Sequence, residues 1–449
     1  MQLAMTGCPR CTVQDSASES PIVESSESAH DFWSQVLPVH TEGIHLWDIA
    51  LDCLENIGTL HGIRKPLPHE NWRSPIQAEQ RLLNQLDAVL ACGESVNSRA
   101  ADYVRDSEIP DPGLAFAVML VLGCVSGTDS LQVGRQLLEV FSARDPDETQ
   151  AATEALSLAP NPNVSAVFSP FLEQGPPALR SGIARLLSWR GELTAEQVYK
   201  LLHSGNPDLM LPAIDSIVEA DATLATGEWI GFLQNDSESV VRAEMRLSFA
   251  KRQSAGRHRA IGLIADGRPE FADSALWVGL AGDYRDWAIL EKLLTGSPSP
   301  LVIAATGYWG YPEAFPTLLD LLKSGSNYRA DAAFAIERIT AADLSHWNSD
   351  SQDLELANPE EYERWWNGHS RNFLPNIRMR RGRALGTEAL LAELENGTHT
   401  RNERTITHLE LISRFEGRPP RFRADDFIPY QEQSILQWKR CLAPSLTTL

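Results

Sequence analysis

Apolar doublets recur through the middle of this chain with a period near 30 residues, and no other feature restricts its fold as strongly. Val140-Phe141, Phe171-Leu172, Leu201-Leu202, Phe232-Leu233, Leu263-Ile264, Leu293-Leu294 and Leu321-Leu322 follow one another at intervals of 31, 30, 31, 31, 30 and 28 residues. Gly175, Gly205, Asp236, Asp266, Gly296 and Gly325 punctuate most of them. Each doublet closes one helix, and a second helix begins after a short turn, as from Pro177 to Leu187. In the second helices one slot holds Ala152, Ile183, Ala213, Met245, Leu276, Ala305 and Ala332. Four residues on come Leu156, Leu187, Ile217, Phe249, Leu280, Trp309 and Ile336. Such an i, i+4 pair lies on one helix face. Helix pairs that cannot bury their apolar faces alone stack on their neighbours, which predicts an alpha solenoid.

The stretch Tyr311-Pro-Glu-Ala-Phe-Pro-Thr-Leu-Leu-Asp-Leu-Leu322, followed by Asn327 to Ile336, resembles the short HEAT-like repeat first named from bilin lyases. The motif's arginine is met by Arg180, Arg242 and Arg329, while Thr149, Met210, Asp273 and Val302 depart from it. The expected fold is all-α: about seven short HEAT-like helix pairs, a helical N-terminal cap and a small, mainly helical C-terminal domain. The expected boundaries are a disordered tail at 1–30, the cap at 31–125, the solenoid at 126–343, the C-terminal domain at 359–440 and a tail at 441–449. Serines and glutamates dominate residues 12–30, a composition that cannot bury enough apolar area to order itself. Asn348 to Asn358 is acidic and polar and is expected to be a linker.

Sixty Asp+Glu stand against thirty-nine Lys+Arg in 449 residues, a formal charge of -21. A field of that sign repels phosphate backbones and anionic lipid, so nucleic acid and membrane are not expected partners, whereas a basic protein would be steered inward. The plainer reading is that the acidity only maintains solubility. No secretory signal and no run of about 18 apolar residues is present, which leads to the expectation of a soluble, cytoplasmic protein. The six cysteines are too sparse for a disulfide scaffold. Cys8-Pro-Arg-Cys11 has the spacing of half a zinc site without the second ligand pair, so neither metal nor cofactor is expected.

Between Arg364 and Arg440 the balance reverses: fourteen Lys+Arg against nine Asp+Glu give +5, leaving -26 for the rest of the chain. Trp365-Trp366-Asn-Gly-His369, Phe373, Arg378, Gly382, Leu394-Glu-Asn-Gly397, the helix around Leu409-Glu-Leu411 and the run from Phe422 to Gln431 resemble the C-terminal part of a bacterial family. That family comprises HEAT-repeat proteins of uncharacterised function, often encoded in type VI secretion loci, and the similarity extends over residues 82–440. The resemblance implies a place in contact-dependent bacterial competition and no particular reaction.

No nucleophile signature, phosphate-binding glycine loop or H-E-x-x-H motif occurs, and the protein is not expected to be an enzyme. A lyase-like activity would rest only on the repeat's name. Arg378-Met-Arg-Arg-Gly-Arg383 could hold phosphate or an acidic partner; the plainer reading pairs it with the acidic repeats of the same chain. Trp365, Trp366 and His369 read as the core of a small domain. On the second helices, the slots turned away from the core stripe hold Leu211, Ile214, Trp277, Val278, Ile303 and Phe334 among charged residues, where a solvated face would be polar. Glu154, Asp215, Leu247, Trp277, Val278, Phe334 and Glu337 are therefore the candidate partner-binding residues. Helices sandwiched on both sides would show the same pattern. The expected function is an immunity factor that neutralises a type VI toxin, such as a basic nuclease, by binding it. An effector adaptor or chaperone of the same system is the alternative.

Overall fold

The computed structural model describes residues 42–66, 70–219, 235, 237–267, 273–325, 327–348, 353–396 and 400–446. The tail at 1–30 with Cys8 and Cys11, the doublet Phe232-Leu233 and residues 447–449 lie outside them. The protein is all-α, with two short antiparallel hairpins as the sheet among the described residues. Its contacts divide it into two compact units, residues 1–65 with 75–192 and residues 66–74 with 193–449. That division falls inside the stretch expected to be one solenoid.

The first unit comprises α1 (Glu42–Ile63), α2 (Ile76–Ala91), α3 (Glu94–Asp106), α4 (Pro112–Cys124), α5 (Asp129–Arg144), α6 (Pro146–Leu158), the short α7 (Val164–Phe168) and α8 (Phe171–Gln174), and α9 (Pro177–Arg190). α4 starts where Asp111 accepts from Leu114 N and Pro112 presets the first turn. It is apolar all round and buried from Leu114 to Gly123, as a helix packed on every side must be. α1 and α6 pack against it, and α9 packs on α6. A Cβ on Gly58 would come within 2.8 Å of the Gly113 backbone, so α1 and the start of α4 meet main chain to main chain. At the end of α9, Arg190 donates to the carbonyls of Leu156, Ala159 and Asn161 at 3.2, 2.6 and 2.9 Å, satisfying acceptors that the end of α6 leaves open.

The second unit continues with α10 (Ala195–Leu202), α11 (Pro207–Val218), α12 (Glu238–Ala250), α13 (Ser254–Ala265), α14 (Ser274–Ala281), α15 (Trp287–Gly296), α16 (Pro300–Trp309), α17 (Phe315–Lys323) and α18 (Arg329–Thr340). The second helices, α11, α12, α14, α16 and α18, pack consecutively on one another, and α10, α13, α15 and α17 flank them. Small residues set the spacing. A Cβ on Gly279 would lie 2.2 Å from the Ala305 carbonyl oxygen, and one on Gly307 would lie 3.1 Å from Ala335 Cα. The repeated slot is buried at Ala152, Ile183, Ala213, Met245, Ala305 and Ala332; Leu276 and Phe249 are only half-buried.

Helix packing does not stop at residue 343. β1 (Ser345–Asn348) pairs antiparallel with β2 (Asp353–Leu356), so residues 348 and 353–356 of the expected linker are strand, and β2 lies against α18. α19 (Pro359–His369) packs on α17, where Trp366 stacks on Phe315 at 4.2 Å. A two-residue turn joins β3 (Met379–Arg380) to β4 (Arg383–Ala384). α20 (Thr387–Glu395), α21 (Arg401–Ile412) and α22 (Ile428–Leu446) then enclose Leu390, Leu394, Leu409, Leu411, Ile435 and Trp438. α22 runs to Leu446, so residues 441–446 are helix and not a tail. Trp72 is anchored here: it is buried, its indole nitrogen donates to the Glu395 carbonyl at 3.3 Å, and the Arg404 guanidinium lies 3.8 Å over its ring.

Candidate partner-binding face

The seven candidate residues do not form one exposed face. Leu247 and Val278 are fully buried, like Ile214 and Ile303, because α12, α14 and α16 are covered on both sides. They are core, and offer a partner no surface. Trp277 is 8% exposed and packs 6.3 Å from the Phe249 ring. The charged members are already engaged. Glu154, in the first unit, lies 3.5 Å from His61 Nε2. Burial alone would raise its pKa; the His61 hydrogen bond and charge, with Lys65 and Arg64 nearby, outweigh that and hold it down at about 2. Asp215 pairs with Arg246, and Glu337 accepts from Arg381 at 2.6 Å. Of the seven, Phe334 alone is widely exposed, at 47%.

The basic run is also turned inward, and its main acceptors are helix ends. Arg381 and Gly382 adopt φ 46° and 71°, the left-handed pair of a tight hairpin turn. From this hairpin Met379 N donates to Gly310 O at 2.6 Å, Arg381 N to Arg338 O at 2.6 Å and Gly382 N to Ile339 O at 3.0 Å. Arg378 donates to Gly279 O and Leu280 O, both at 3.1 Å, and to Tyr308 O and Trp309 O at 2.8 and 3.0 Å. The C-terminal carbonyls of α14, α16 and α18, which have no donor within their helices, are thus satisfied by one segment. A guanidinium also suits the negative end of a helix dipole. Burial draws Arg378 down to about 10, which leaves it charged near neutrality.

Beside it Arg380 is fully buried, 2.5 Å from Glu410 and 3.4 Å from Glu393, and Arg338 pairs with Glu403. Farther along, Arg423 and Arg421 reach Glu219 at 2.8 and 3.5 Å. Arg378, Arg380 and Arg381 thus pair within the molecule, but Arg381 alone meets an acid of the repeats, and Arg383 is exposed. The sequence could not show that backbone carbonyls receive most of this pairing. The Trp365 and Trp366 core reading needs correction: both are half-buried on α19, His369 is exposed with its ring stacked on Trp365 at 4.6 Å, and Tyr362 is the buried aromatic of that helix.

The acid excess is concentrated in the first unit. Residues 1–65 and 75–192 carry twenty-four Asp+Glu against eleven Lys+Arg, -13, while the longer second unit carries thirty-six against twenty-eight, -8. On α1, Asp48, Asp52 and Glu55 are exposed and have no ion pair among the described residues. Sequence reasoning passed over them because it followed the repeats. Their signal was the spacing of Ile49, Asp52, Asn56, Thr59 and Ile63.

A cleft of about 450 Å³ in the first unit is lined by Glu139, Ser142, Phe171 and Gln174. The Ser142 hydroxyl donates to the Glu139 carbonyl at 2.9 Å, and no histidine, cysteine or lysine lines the cleft. Among the described residues no group of three or more His, Cys, Asp or Glu is placed to hold a metal ion, and no helix is long and apolar enough to cross a membrane. Compared with known proteins, the chain matches no family model, and no curated protein is significantly similar to it.

Proposed function

We propose that this protein is a binding scaffold, built as an array of short HEAT-like helix pairs, that captures and neutralises a basic protein toxin. The charge distribution carries the reading. Arg378, Arg380 and Arg338 of the second unit cap helix ends or close buried ion pairs, whereas α1 of the first unit presents carboxylates that no described residue neutralises. Unpaired surface charge of one sign speeds encounter with a partner of the other sign. The successive packing of α11, α12, α14, α16 and α18 supports the repeat reading, and the C-terminal resemblance to proteins of type VI secretion loci supports the toxin as the target.

The test is co-expression with the product of the adjacent toxin-like reading frame. Cells should die without this protein and survive with it. Death in both cases, with the two proteins still associating reversibly, would replace neutralisation with cargo loading, because a loading factor must release what it binds.

A further inference from the structure

We propose that the outward face of α1 is a docking seam for a cationic amphipathic helix of another protein. This rests on the binding reading above and adds a place and a chemistry to it. Ile49, Asp52, Asn56, Thr59 and Ile63 stand at i, i+3, i+7, i+10 and i+14 and are all exposed, Ile49 at 53% and Ile63 at 58%. The opposite face, with Trp47, Ala50, Leu54 and Ile57, is buried in the unit's own core. Alternation of three and four residues is the spacing by which two helices mesh along a seam. Here it spans about 21 Å at 1.5 Å per residue.

Single exposed isoleucines are ordinary on protein surfaces. Two further properties mark this stripe. Its neutral polar members each direct a donor back into the helix, Asn56 Nδ2 to Asp52 O at 2.8 Å and Thr59 Oγ1 to Glu55 O at 3.1 Å, which lowers the polar demand of covering them. Its acidic members are not. Asp52 on the seam, with Asp48 and Glu55 beside it, has no ion pair among the described residues, in contrast to the paired Glu154, Asp215 and Glu337. Charge complementarity therefore specifies the occupant: a helix with apolar side chains against Ile49 and Ile63, and lysines or arginines facing the carboxylates between them. A second copy of α1 would set these carboxylates against one another, which disfavours self-pairing.

The probe is a synthetic helix of leucine and lysine with the same three-four spacing, and its control replaces every lysine with glutamate. Titrated against the full chain, the lysine peptide should bind at least tenfold more tightly than the control and should slow hydrogen exchange across Ile49 to Ile63. Ile49→Ser combined with Asp52→Lys, both at exposed positions, should weaken that binding at least tenfold without moving the thermal melt. Protection centred elsewhere, for example around Phe334, or equal binding by the variant, would overturn the seam. So would sedimentation showing that the free protein dimerises through α1. Seam variants that still protect cells from the toxin would remove the seam and leave the capture reading intact; loss of protection by the unaltered protein would remove the capture reading itself.

Discussion

Glu244 sits in the middle of α12 with no exposed surface, and neither of its carboxylate oxygens finds a donor among the described residues. Burial pushes its pKa up to about 8 from 4.5. Between those values the unfolded chain has released the proton and the folded chain has kept it. Stability therefore falls as pH rises, by about 1.4 kcal/mol per unit, and levels off above about 8. His408 acts in the opposite sense: burial against Phe422 and Trp438 holds it down to about 4, so stability is lost as pH falls from 6.5 toward 4. Between pH 4.5 and 6.5 the two slopes oppose and cancel, so denaturant midpoints measured from pH 4 to 9 should stay level there and decline from about 6.5 to 8. Glu244→Gln should abolish the decline above 6.5 and let the midpoint rise from 4.5 to 6.5; an unchanged alkaline decline would show that the carboxyl is solvated or paired.

At the scale of helices, close approach and end-capping carry the second unit. Gly279→Ala places a methyl 2.2 Å from the Ala305 oxygen, and forcing α14 away from α16 should cost about 1–3 kcal/mol. Arg378→Ala strands four helix-end carbonyls and should destabilise by at least about 2 kcal/mol, with Arg378→Lys recovering only part, since one ammonium cannot reproduce a planar fork. In the first unit, Leu187→Ala should cost roughly 2–5 kcal/mol, because Leu187 is fully buried on α9. Urea titrations of each variant check these figures, and a change within error for Leu187→Ala would contradict the repeat register.

The inward face of these helices was legible in the sequence because burial writes itself into spacing: Ala152, Ala213, Ala305 and Ala332 recur at one slot, and all four are buried. The face opposite was not. Period alone cannot tell an apolar residue covered by a second layer from one awaiting a partner, so Leu247 and Val278 were read as surface. Nor does sequence reveal which carboxylates find cations. Asp215 and Arg246, or Glu337 and Arg381, meet only once helices far apart in the chain are packed, which left the unpaired acids of α1 indistinguishable from the paired ones.

At the scale of the molecule, charge is divided unevenly between two units. The first, with fewer residues, carries -13 of the formal -21. Capture steered by that field should slow steeply with salt, since exposed charges separated by more than about 10 Å are screened at 0.1 M ionic strength. Reversing Asp48, Asp52 and Glu55 together to lysine should lower the association rate with the toxin at least tenfold at low salt and leave the folded stability unchanged. The same reversal at Asp215, already neutralised by Arg246, should act mainly on stability. The most direct measurement is a hydrogen-exchange footprint of this protein bound to the basic toxin proposed as its partner. Slowed exchange is expected over α1 in the first unit, with no matching protection around Asp215, Trp277 and Phe334. Protection confined to those three residues' helices, or no complex at all, would contradict it.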